Sequence, residues 1–457
     1  MKKLMIIVTV LALFSCKKQD KWLDVKSNKA DITPVTLEDF QALLDNDDVM
    51  NANYPGLGLL ASDNYYLTYS FWQSLQPTER NAYLWKPDIY EGDPSFDWEY
   101  EYKRVEYANI VLDGIDKIEV NNANKSTYNN IKGSALFYRA YSFYNLLQLF
   151  SAPYDSSTAE KELGIPVRLH SDVNEKSVRS TIAQSYEQVI NDLLTAKELL
   201  PTLVVSKLSP CKTAALALLA RVSLTMNSYG KAVNYATDAL SSNGTLINFD
   251  NLDTTVVNML PVFPPGNEEI IFFATSIPYF TLSRSNMKVD TSLYASYNNY
   301  DLRRSVFYKN NGVNGISYRG NYTGKMLSSK FAGLATNELY LIRAEGYARL
   351  NKPNEALADL NYLLQNRWAN GFYIPPTGMN VEEILAVIIQ ERRKELPFTG
   401  NLRWEDLRRL NQEPLYAKNL VRILNGESFS LPPRDKRYVY PIPENEIRTG
   451  GIQQNPR

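Results

Sequence analysis

The stretch from Leu339 to Trp368 reads LYLIRAEGYARLNKPNEALADLNYLLQNRW, and it decides the fold. Apolar residues recur in it at helical spacing on both sides of the short segment 351–354. This pattern predicts a helix, a tight turn and a second helix. Ala344 and Ala356 stand where the two helices of a tetratricopeptide hairpin touch, because a larger side chain would hold the helices apart there.

An earlier segment repeats this spacing. Residues 219–240 read LARVSLTMNSYGKAVNYATDAL and place Ala220 and Ala232 at the same interval as Ala344 and Ala356. A single hairpin cannot bury its apolar face alone, so further helices must stack on these two. We therefore expect a mainly all-α protein with tetratricopeptide-like helical hairpins. Such stacks serve to present a surface, which indicates a binding scaffold.

Composition narrows the class of partner. The chain has 457 residues, of which 44% are hydrophobic and 22% are charged, as in an ordinary globular protein. Its formal net charge of -1 gives no electrostatic reason to expect a nucleic acid as partner. The 31 tyrosines and 6 tryptophans are the unusual feature, because many of them lie in sequence that is typical of loops.

The first residues resemble a bacterial lipoprotein signal. Two lysines precede the apolar run 4–14, which is too short to span a bilayer, and Ser15-Cys16 follows. This pattern predicts a signal peptide at 1–15, a lipid on Cys16 and a polar tether at 16–31. The alternative is an ordinary secretory signal with an incidental cysteine. If Cys16 is lipidated no thiol partner is left for a disulfide, and Cys211, beside an apolar helix, is expected to be buried.

The rest of the chain alternates between two kinds of sequence. Long amphipathic helices are predicted near 98–118, 126–150 and 181–200, within a helical domain spanning 32–457. Two stretches, about 46–94 and 243–335, lose this periodicity and are rich in aromatic and turn residues, so we expect loop insertions with few short strands. The proline-rich end, from Pro414 on, is expected to pack irregularly against the helices.

Three segments carry a resemblance to a known family. Residues 391–409 read ERRKELPFTGNLRWEDLRR, residues 138–146 read YRAYSFYNL, and the end contains PIPENEI at 441–447 and QNP at 454–456. Together they resemble the SusD/RagB family of outer-membrane nutrient-binding lipoproteins from Bacteroidota. Thr399 stands where the family motif usually has an acid.

The resemblance implies a fold, a cellular location and a function. Members have helix pairs of the tetratricopeptide type with a loop-rich face, and a lipid anchors them in the outer membrane, facing the cell exterior. They sit as a lid on a SusC-type TonB-dependent transporter and capture an oligosaccharide or, in some branches, a peptide. The resemblance implies neither catalysis nor a cofactor.

The charged signature has a structural interpretation. Its acids and arginines can pair across the helix break at 397–401, with Trp404 filling the gap. Such arginine networks fasten helices without doing chemistry. The side chains expected to pair are Glu391, Arg392, Glu395, Arg403, Asp406 and Arg408.

The aromatic insertions are the better candidate for a ligand site. Sugar rings have apolar faces and hydroxyl rims, so a site needs flat aromatic platforms beside carboxylate, amide and guanidinium groups. Packing against the helices is the competing interpretation for each aromatic residue taken singly. The candidate ligand residues are Asp63, Asn64, Tyr65, Tyr66, Trp72, Arg80 and Trp85 in the first insertion, and Tyr279, Phe280, Arg284, Tyr297, Tyr300 and Arg303 in the second.

Other classes of site have weaker support. A glycoside hydrolase needs two carboxylates facing each other across a cleft, and the acids within 91–99 show no such pairing. His170 is the one histidine, which excludes a zinc site with two imidazoles, and we interpret it as an ordinary loop residue. The acids within 45–48 lack the glycine and distal glutamate of an EF-hand loop, so we expect a solvated helix end and no metal. A pure assembly scaffold, which binds no small ligand, is a further possibility.

Overall fold

The computed structural model describes residues 34–253 and 255–457. The signal peptide, Cys16 and the tether predicted at 16–31 lie outside the described residues. Cys211 lies within them and is 2% exposed, as predicted.

Helices dominate the described residues, which form 17 of them. They are α1 Leu37–Leu44, α2 Asp47–Met50, α3 Leu57–Ala61, α4 Tyr69–Gln73, α5 Pro77–Tyr83, α6 Phe96–Ile115, α7 Lys125–Phe150, α8 Ile182–Leu199, α9 Lys212–Thr225, α10 Tyr229–Ser242, α11 Thr291–Ala295, α12 Arg303–Val306, α13 Thr336–Arg349, α14 Pro353–Gln365, α15 Val381–Glu395, α16 Leu402–Leu410 and α17 Glu444–Gly450.

The strands are short and form five separate antiparallel pairs within the described residues. The pairs are β1 Tyr65–Tyr66 with β5 Lys288–Val289, β2 Leu163–Pro166 with β3 Arg179–Thr181, β4 Ile270–Phe272 with β8 Leu334–Ala335, β6 Tyr308–Asn310 with β7 Ile316–Tyr318, and β9 Leu420–Leu424 with β10 Glu427–Leu431. The mainly helical fold with few short strands is therefore confirmed.

Local chemistry explains where several helices begin. Thr36, Thr181 and Asn380 each accept a hydrogen bond from the backbone of the third helical residue, whose side chain accepts one in return from the backbone N–H of the cap. Such capping boxes satisfy backbone donors that the first turn leaves free. The helices α5 and α14 begin instead at Pro77 and Pro353, where the missing N–H costs nothing.

The helices pack as successive neighbours. The helix α7 contacts α6 and α8, while α10 contacts α9 and α13, and α13 contacts α14 and α15. Ala220, Ala232, Ala344 and Ala356 are all fully buried. The two helix–turn–helix units are therefore present with small residues inside, while their identification as tetratricopeptide units stays a prediction. A Cβ at Gly346 would lie 2.6 Å from Val233, which shows how closely α13 approaches α10.

The end of the chain is more regular than predicted. The strands β9 and β10 form a hairpin with a full register from Leu420↔Leu431 to Leu424↔Glu427. The turn is Asn425-Gly426, whose φ angles are +52° and +82°. This dipeptide accepts positive φ at both positions, which a two-residue hairpin needs. The expectation of irregular packing after Pro414 is wrong for this segment.

Residues from the two aromatic stretches contact each other. The strand β1 lies in 46–94 and β5 lies in 243–335, and they pair with Tyr65 opposite Val289 and Tyr66 opposite Lys288. The Thr281 N–H also donates to the Glu79 carboxylate, 2.6 Å away. Side chains that are distant in sequence therefore share one surface there.

Candidate functional site

Five aromatic side chains of the two aromatic stretches are exposed or partly exposed, and we call them together the aromatic face: Tyr66, Tyr69, Phe71, Trp72 and Phe280. The short helix α4 supplies three of them. Tyr69 and Trp72 are three residues apart and so lie on the same side of that helix. Their rings stack with centroids 5.8 Å apart and planes 19° apart.

The second aromatic stretch contributes to the same face. The Phe280 ring lies 5.4 Å from that of Phe71, and 55% of Phe280 is exposed. Tyr66 is 41% exposed on β1, whereas its neighbour Tyr65 is buried, because successive side chains of a strand point in opposite directions. The aromatic face thus joins residues more than 200 positions apart in the sequence.

Polar groups surround these rings. The Trp72 Nε1–H donates to the Arg80 carbonyl at 3.1 Å, which fixes the indole ring. The Gln73 amide donates to the Tyr69 hydroxyl at 3.0 Å. Arg80 is partly exposed beside them. Flat aromatic surface next to hydroxyl, amide and guanidinium groups can stack on the apolar face of a sugar ring and hydrogen-bond its hydroxyls.

The structure places the predicted ligand residues in two groups. Tyr66, Trp72, Arg80, Phe280 and Arg284 are exposed or partly exposed, and for them a ligand role stays a prediction. The others, apart from Tyr300, are buried or nearly so and contact other groups of the protein, and for them too a ligand role stays a prediction. These residues are Asp63, Asn64, Tyr65, Trp85, Tyr279, Tyr297 and Arg303.

Asp63 and Asn64 anchor the first stretch to the charged signature. Arg403 binds both Asp63 carboxylate oxygens, at 2.7 and 2.9 Å, and Lys418 lies 2.7 Å from one of them. Arg393 donates to Asn64 Oδ1 at 3.0 Å. Burial acts to raise the pKa of Asp63, but the surrounding cations hold that pKa well below its ordinary value. The carboxylate is thus already fully paired within the protein.

Tyr65 and Trp85 are ring partners of an arginine. The Arg422 guanidinium lies 3.7 Å from the ring centroid of Tyr83, 4.5 Å from that of Trp85 and 5.4 Å from that of Tyr65. The Trp85 Nε1–H donates to the Ala61 carbonyl at 2.9 Å. Cation–π contacts of this kind occupy the ring faces that a sugar would need.

Tyr279 fastens the second stretch to helix α6. Its hydroxyl donates to the Asp97 carboxylate, which also accepts from the backbone N–H groups of Gly56 and Leu57 at 2.6 and 2.9 Å. A Cβ at Gly56 would lie 2.9 Å from the Tyr279 ring, so this contact requires glycine. Burial raises the pKa of Asp97. Because Asp97 is enclosed, it cannot serve as one of the paired acids of a glycoside hydrolase.

Arg303 and Tyr297 belong to a buried ionic cluster. Arg303 is fully buried and binds Asp301 at 2.7 Å, Glu391 at 2.5 Å and Glu395 at 3.2 Å. The Tyr297 hydroxyl donates to the Lys394 carbonyl at 2.7 Å. Tyr300 remains exposed but stacks on Phe372, with ring centroids 3.8 Å apart, instead of joining the aromatic face.

The charged signature residues connect separate segments of the chain through ion pairs and hydrogen bonds. Arg392 pairs with Asp406 across the helix break, at 3.0 Å, and Trp404 is fully buried, as predicted. The remaining pairings reach further than expected, since Arg403 binds Asp63 and Arg408 donates to backbone carbonyls of α7. Two residues of the aromatic face, Tyr69 and Phe71, are not among the ligand residues predicted from the sequence. The three-residue spacing of Tyr69 and Trp72 could have indicated Tyr69.

The described residues contain neither a metal-binding cluster nor a membrane-spanning helix. Within 34–253 and 255–457, no three His, Cys, Asp or Glu side chains are grouped so as to hold a metal ion. His170 is largely exposed in the link after β2 and lies 3.1 Å from Asp113. In the part of the chain that the structure describes, no helix has both the length and the apolarity that a membrane crossing needs.

Two family models match the sequence. Residues 21–224 match a SusD-like model described as starch-binding and associating with the outer membrane. Residues 307–457 match the model of the SusD family. The SusD-like protein P2 of Formosa agariphila is 24% identical over 429 residues, which cover 78% of this chain and 79% of that protein.

Solved structures have the same fold. The structure of a protein described as a putative sugar binding protein, from Bacteroides vulgatus, superposes with a TM-score of 0.75 at 21% identity, covering 93% of this chain and 99% of that one. A SusD superfamily protein from Bacteroides thetaiotaomicron gives a TM-score of 0.74 at 23% identity, covering 93% and 100%. At such identities the likeness establishes the fold alone.

Proposed function

Because the chain belongs to the SusD family, we propose that it binds an oligosaccharide at the aromatic face and passes it to a SusC-type TonB-dependent transporter. The observation that carries this proposal is the exposed stack of Tyr69 on Trp72, with Phe280 from a distant stretch beside Phe71. Two ring pairs, Tyr69 with Trp72 and Phe71 with Phe280, give an elongated ligand more than one place to stack. In this role the protein binds the oligosaccharide and passes it to the transporter without catalysing a reaction.

Replacing Trp72 by alanine should weaken oligosaccharide binding at least tenfold. Buried tryptophan contacts contribute about 2 kcal/mol or more to an interface, and about 1.4 kcal/mol corresponds to a factor of ten. The measurement is calorimetric titration of the full-length chain with the oligosaccharide that stabilises it most in a thermal-shift panel of glycans and peptides. Tyr69→Ala should show the same direction of change.

Phe96→Ala is the matched control, because Phe96 is 49% exposed and stacks on Tyr100, which does not belong to the aromatic face. It should leave the affinity unchanged. Equal affinities for the parent protein, Trp72→Ala and Tyr69→Ala would contradict the proposed site. A response to peptides alone would replace the oligosaccharide by a peptide ligand, and no response to any ligand would favour an assembly scaffold.

The lipid anchor at Cys16 is a separate part of the proposal. Cys16→Ser should move the protein from the membrane fraction to the soluble fraction, because the serine hydroxyl cannot carry the thioether-linked lipid. The measurement is the distribution of the protein between pelleted membranes and supernatant. Cys211→Ser is the control, since that thiol is buried. Retention of Cys16→Ser in the membranes would contradict the anchor.

A further inference from the structure

The hairpin of β9 and β10 has a free edge along β9. Its closing pair, Leu424 with Glu427, flanks the two-residue turn 425–426, and the register continues from there without a shift. In such a hairpin the closing pair and every second pair after it exchange both backbone hydrogen bonds. The residues between those pairs direct their N–H and C=O groups away from the partner strand. On β9 these outward residues are Val421 and Ile423.

The outward residues of β9 are exposed and apolar. Val421 is 54% exposed and Ile423 is 75% exposed. Among the described residues, no group outside the strand pairing hydrogen-bonds the backbone of either residue. The edge of β10 differs, because the Arg437 guanidinium donates to the outward carbonyl of Ser430 at 3.0 Å. The edge of β10 is thus partly occupied, whereas the edge of β9 is not.

The other face of β9 is fixed to the protein. Leu420, Arg422 and Leu424 are 2%, 6% and 5% exposed. The Arg422 guanidinium donates to the carbonyls of Leu60 at 3.2 Å and Ser62 at 2.6 Å. The strand is therefore already held in its extended shape, and pairing with a further strand costs β9 little conformational entropy.

The strand β9 lacks the features by which natural proteins prevent edge pairing. Those features are outward charges, proline, β-bulges and very short edge strands. The strand β9 has five residues without proline, its register contains no bulge, and its one charged side chain, Arg422, is buried. A flat, apolar edge of this kind is a template for one more strand.

The surroundings of β9 decide which kind of strand can pair there. Because β9 rests on the protein through one face, two copies joined edge to edge would have both bodies on the same side of the shared sheet, where they would overlap. A free peptide would find no charged side chain at Val421 or Ile423 to hold its termini. A single extended segment of another protein meets neither difficulty, because the rest of that protein supplies further contacts.

We propose that the β9 edge binds an extended segment of a partner protein by strand addition. The N–H and C=O groups of Val421 and Ile423 pair with two alternate residues of that segment, and the two side chains pack against its uncharged, apolar side chains. The β9 edge shares no residue with the aromatic face, so this proposal and the oligosaccharide site can fail independently.

The experiment uses a blocked peptide, acetyl-Thr-Val-Thr-Val-Thr-Val-amide, as the probe for such a segment. Its threonine nitrogens are methylated, which prevents the peptide from pairing with itself but leaves the valine N–H groups free. Four backbone hydrogen bonds correspond to a dissociation constant on the order of 1 mM, which saturation-transfer NMR with the full-length chain can measure. The same peptide methylated at every nitrogen should bind at least tenfold more weakly. Equal binding of the two peptides, or no binding of the first at several millimolar, would overturn the proposal.

Two proline variants test whether the peptide binds at β9. Ile423→Pro and Val421→Pro each remove one outward N–H that the hairpin does not use, and an edge strand accepts proline at such a position. Each should weaken binding about tenfold. Ser428→Pro is the matched control, because Ser428 is exposed opposite Ile423 and its outward N–H lies on the edge of β10. If either β9 variant unfolds at the same temperature as Ser428→Pro and binds the peptide as the parent does, the proposal is wrong.

Discussion

Replacing Arg303 by methionine should lower the free energy of unfolding by about 3–5 kcal/mol, the cost of removing one partner from a buried ion pair. Arg303 is fully buried and touches the carboxylates of Asp301, Glu391 and Glu395. Methionine fills a similar length but supplies no charge. Lys394 and Arg367 still contact members of this cluster, which limits the loss.

The loss of unfolding free energy caused by Arg303→Met should become smaller at acidic pH. Burial acts to raise the pKa of Asp301, but Arg303 and Lys394 hold that pKa below its ordinary value. Stability from this group is therefore present above the ordinary carboxylate pKa, about 4, and is lost as the pH falls below it. Without Arg303 the carboxylates protonate more readily, so the difference between variant and parent should shrink on acidification.

Urea unfolding of the parent protein and of Arg303→Met, at neutral and at acidic pH, measures the loss of stability and its dependence on pH. Arg304→Met is the matched control, because Arg304 is partly exposed and its guanidinium lies 4.8 Å from the Tyr294 ring centroid, a contact that contributes about 1 kcal/mol or less. If Arg303→Met were as stable as Arg304→Met but lost ligand binding, Arg303 would be a ligand residue and the structural role would be wrong.

The regular helices could be predicted from the sequence because their signal is local. Periodicity and Pro353 identify the two helices α13 and α14, since each helical turn is specified by residues three and four apart. The hairpin at Asn425-Gly426 carried an equally local signal, but the flanking prolines outweighed it. The predicted insertions at 46–94 and 243–335 stay an interpretation of the sequence.

The candidate site was harder to predict because burial of an aromatic residue depends on distant partners. Tyr65 and Tyr66 have the same chemistry, yet one packs under Arg422 and the other is exposed. Arg303 meets Glu391 across 88 positions, and no local pattern reports this pairing. The composition therefore indicated an aromatic surface. Which aromatic residues are exposed to a ligand and which are buried in the core could be decided only from the tertiary contacts.

Lys330 is a buried cation that links two loops near the aromatic face. It is 3% exposed, and its ammonium donates to the carbonyls of Leu282 at 2.8 Å and Leu327 at 2.9 Å. No carboxylate of the described residues lies within ion-pair distance of it. Burial alone lowers the pKa of Lys330 to about 7. Folding therefore favours the neutral amine.

The free energy of unfolding should consequently rise with pH between the pKa of Lys330 in the folded protein, about 7, and the ordinary lysine pKa, about 10.4. In that window the unfolded chain binds a proton that the folded protein does not, so the free energy of unfolding increases by up to about 1.4 kcal/mol per pH unit. Lys330→Met removes the titrating group. The parent protein should therefore gain stability relative to Lys330→Met as the pH rises from about 7 to about 10.

The measurement is the free energy of unfolding of both proteins in urea across this pH range. Taking the difference between them cancels the titration of the many buried tyrosines, which both share. Lys325→Met is the control, because Lys325 is exposed nearby and its loss should leave a difference independent of pH. A flat difference for Lys330→Met as well would mean that water or a counter-charge reaches Lys330. A slope would instead show that the amine stays enclosed by the Leu282 and Leu327 carbonyls and the Tyr318 ring, whose centroid lies 5.9 Å away, so that this loop is most stable when Lys330 is neutral.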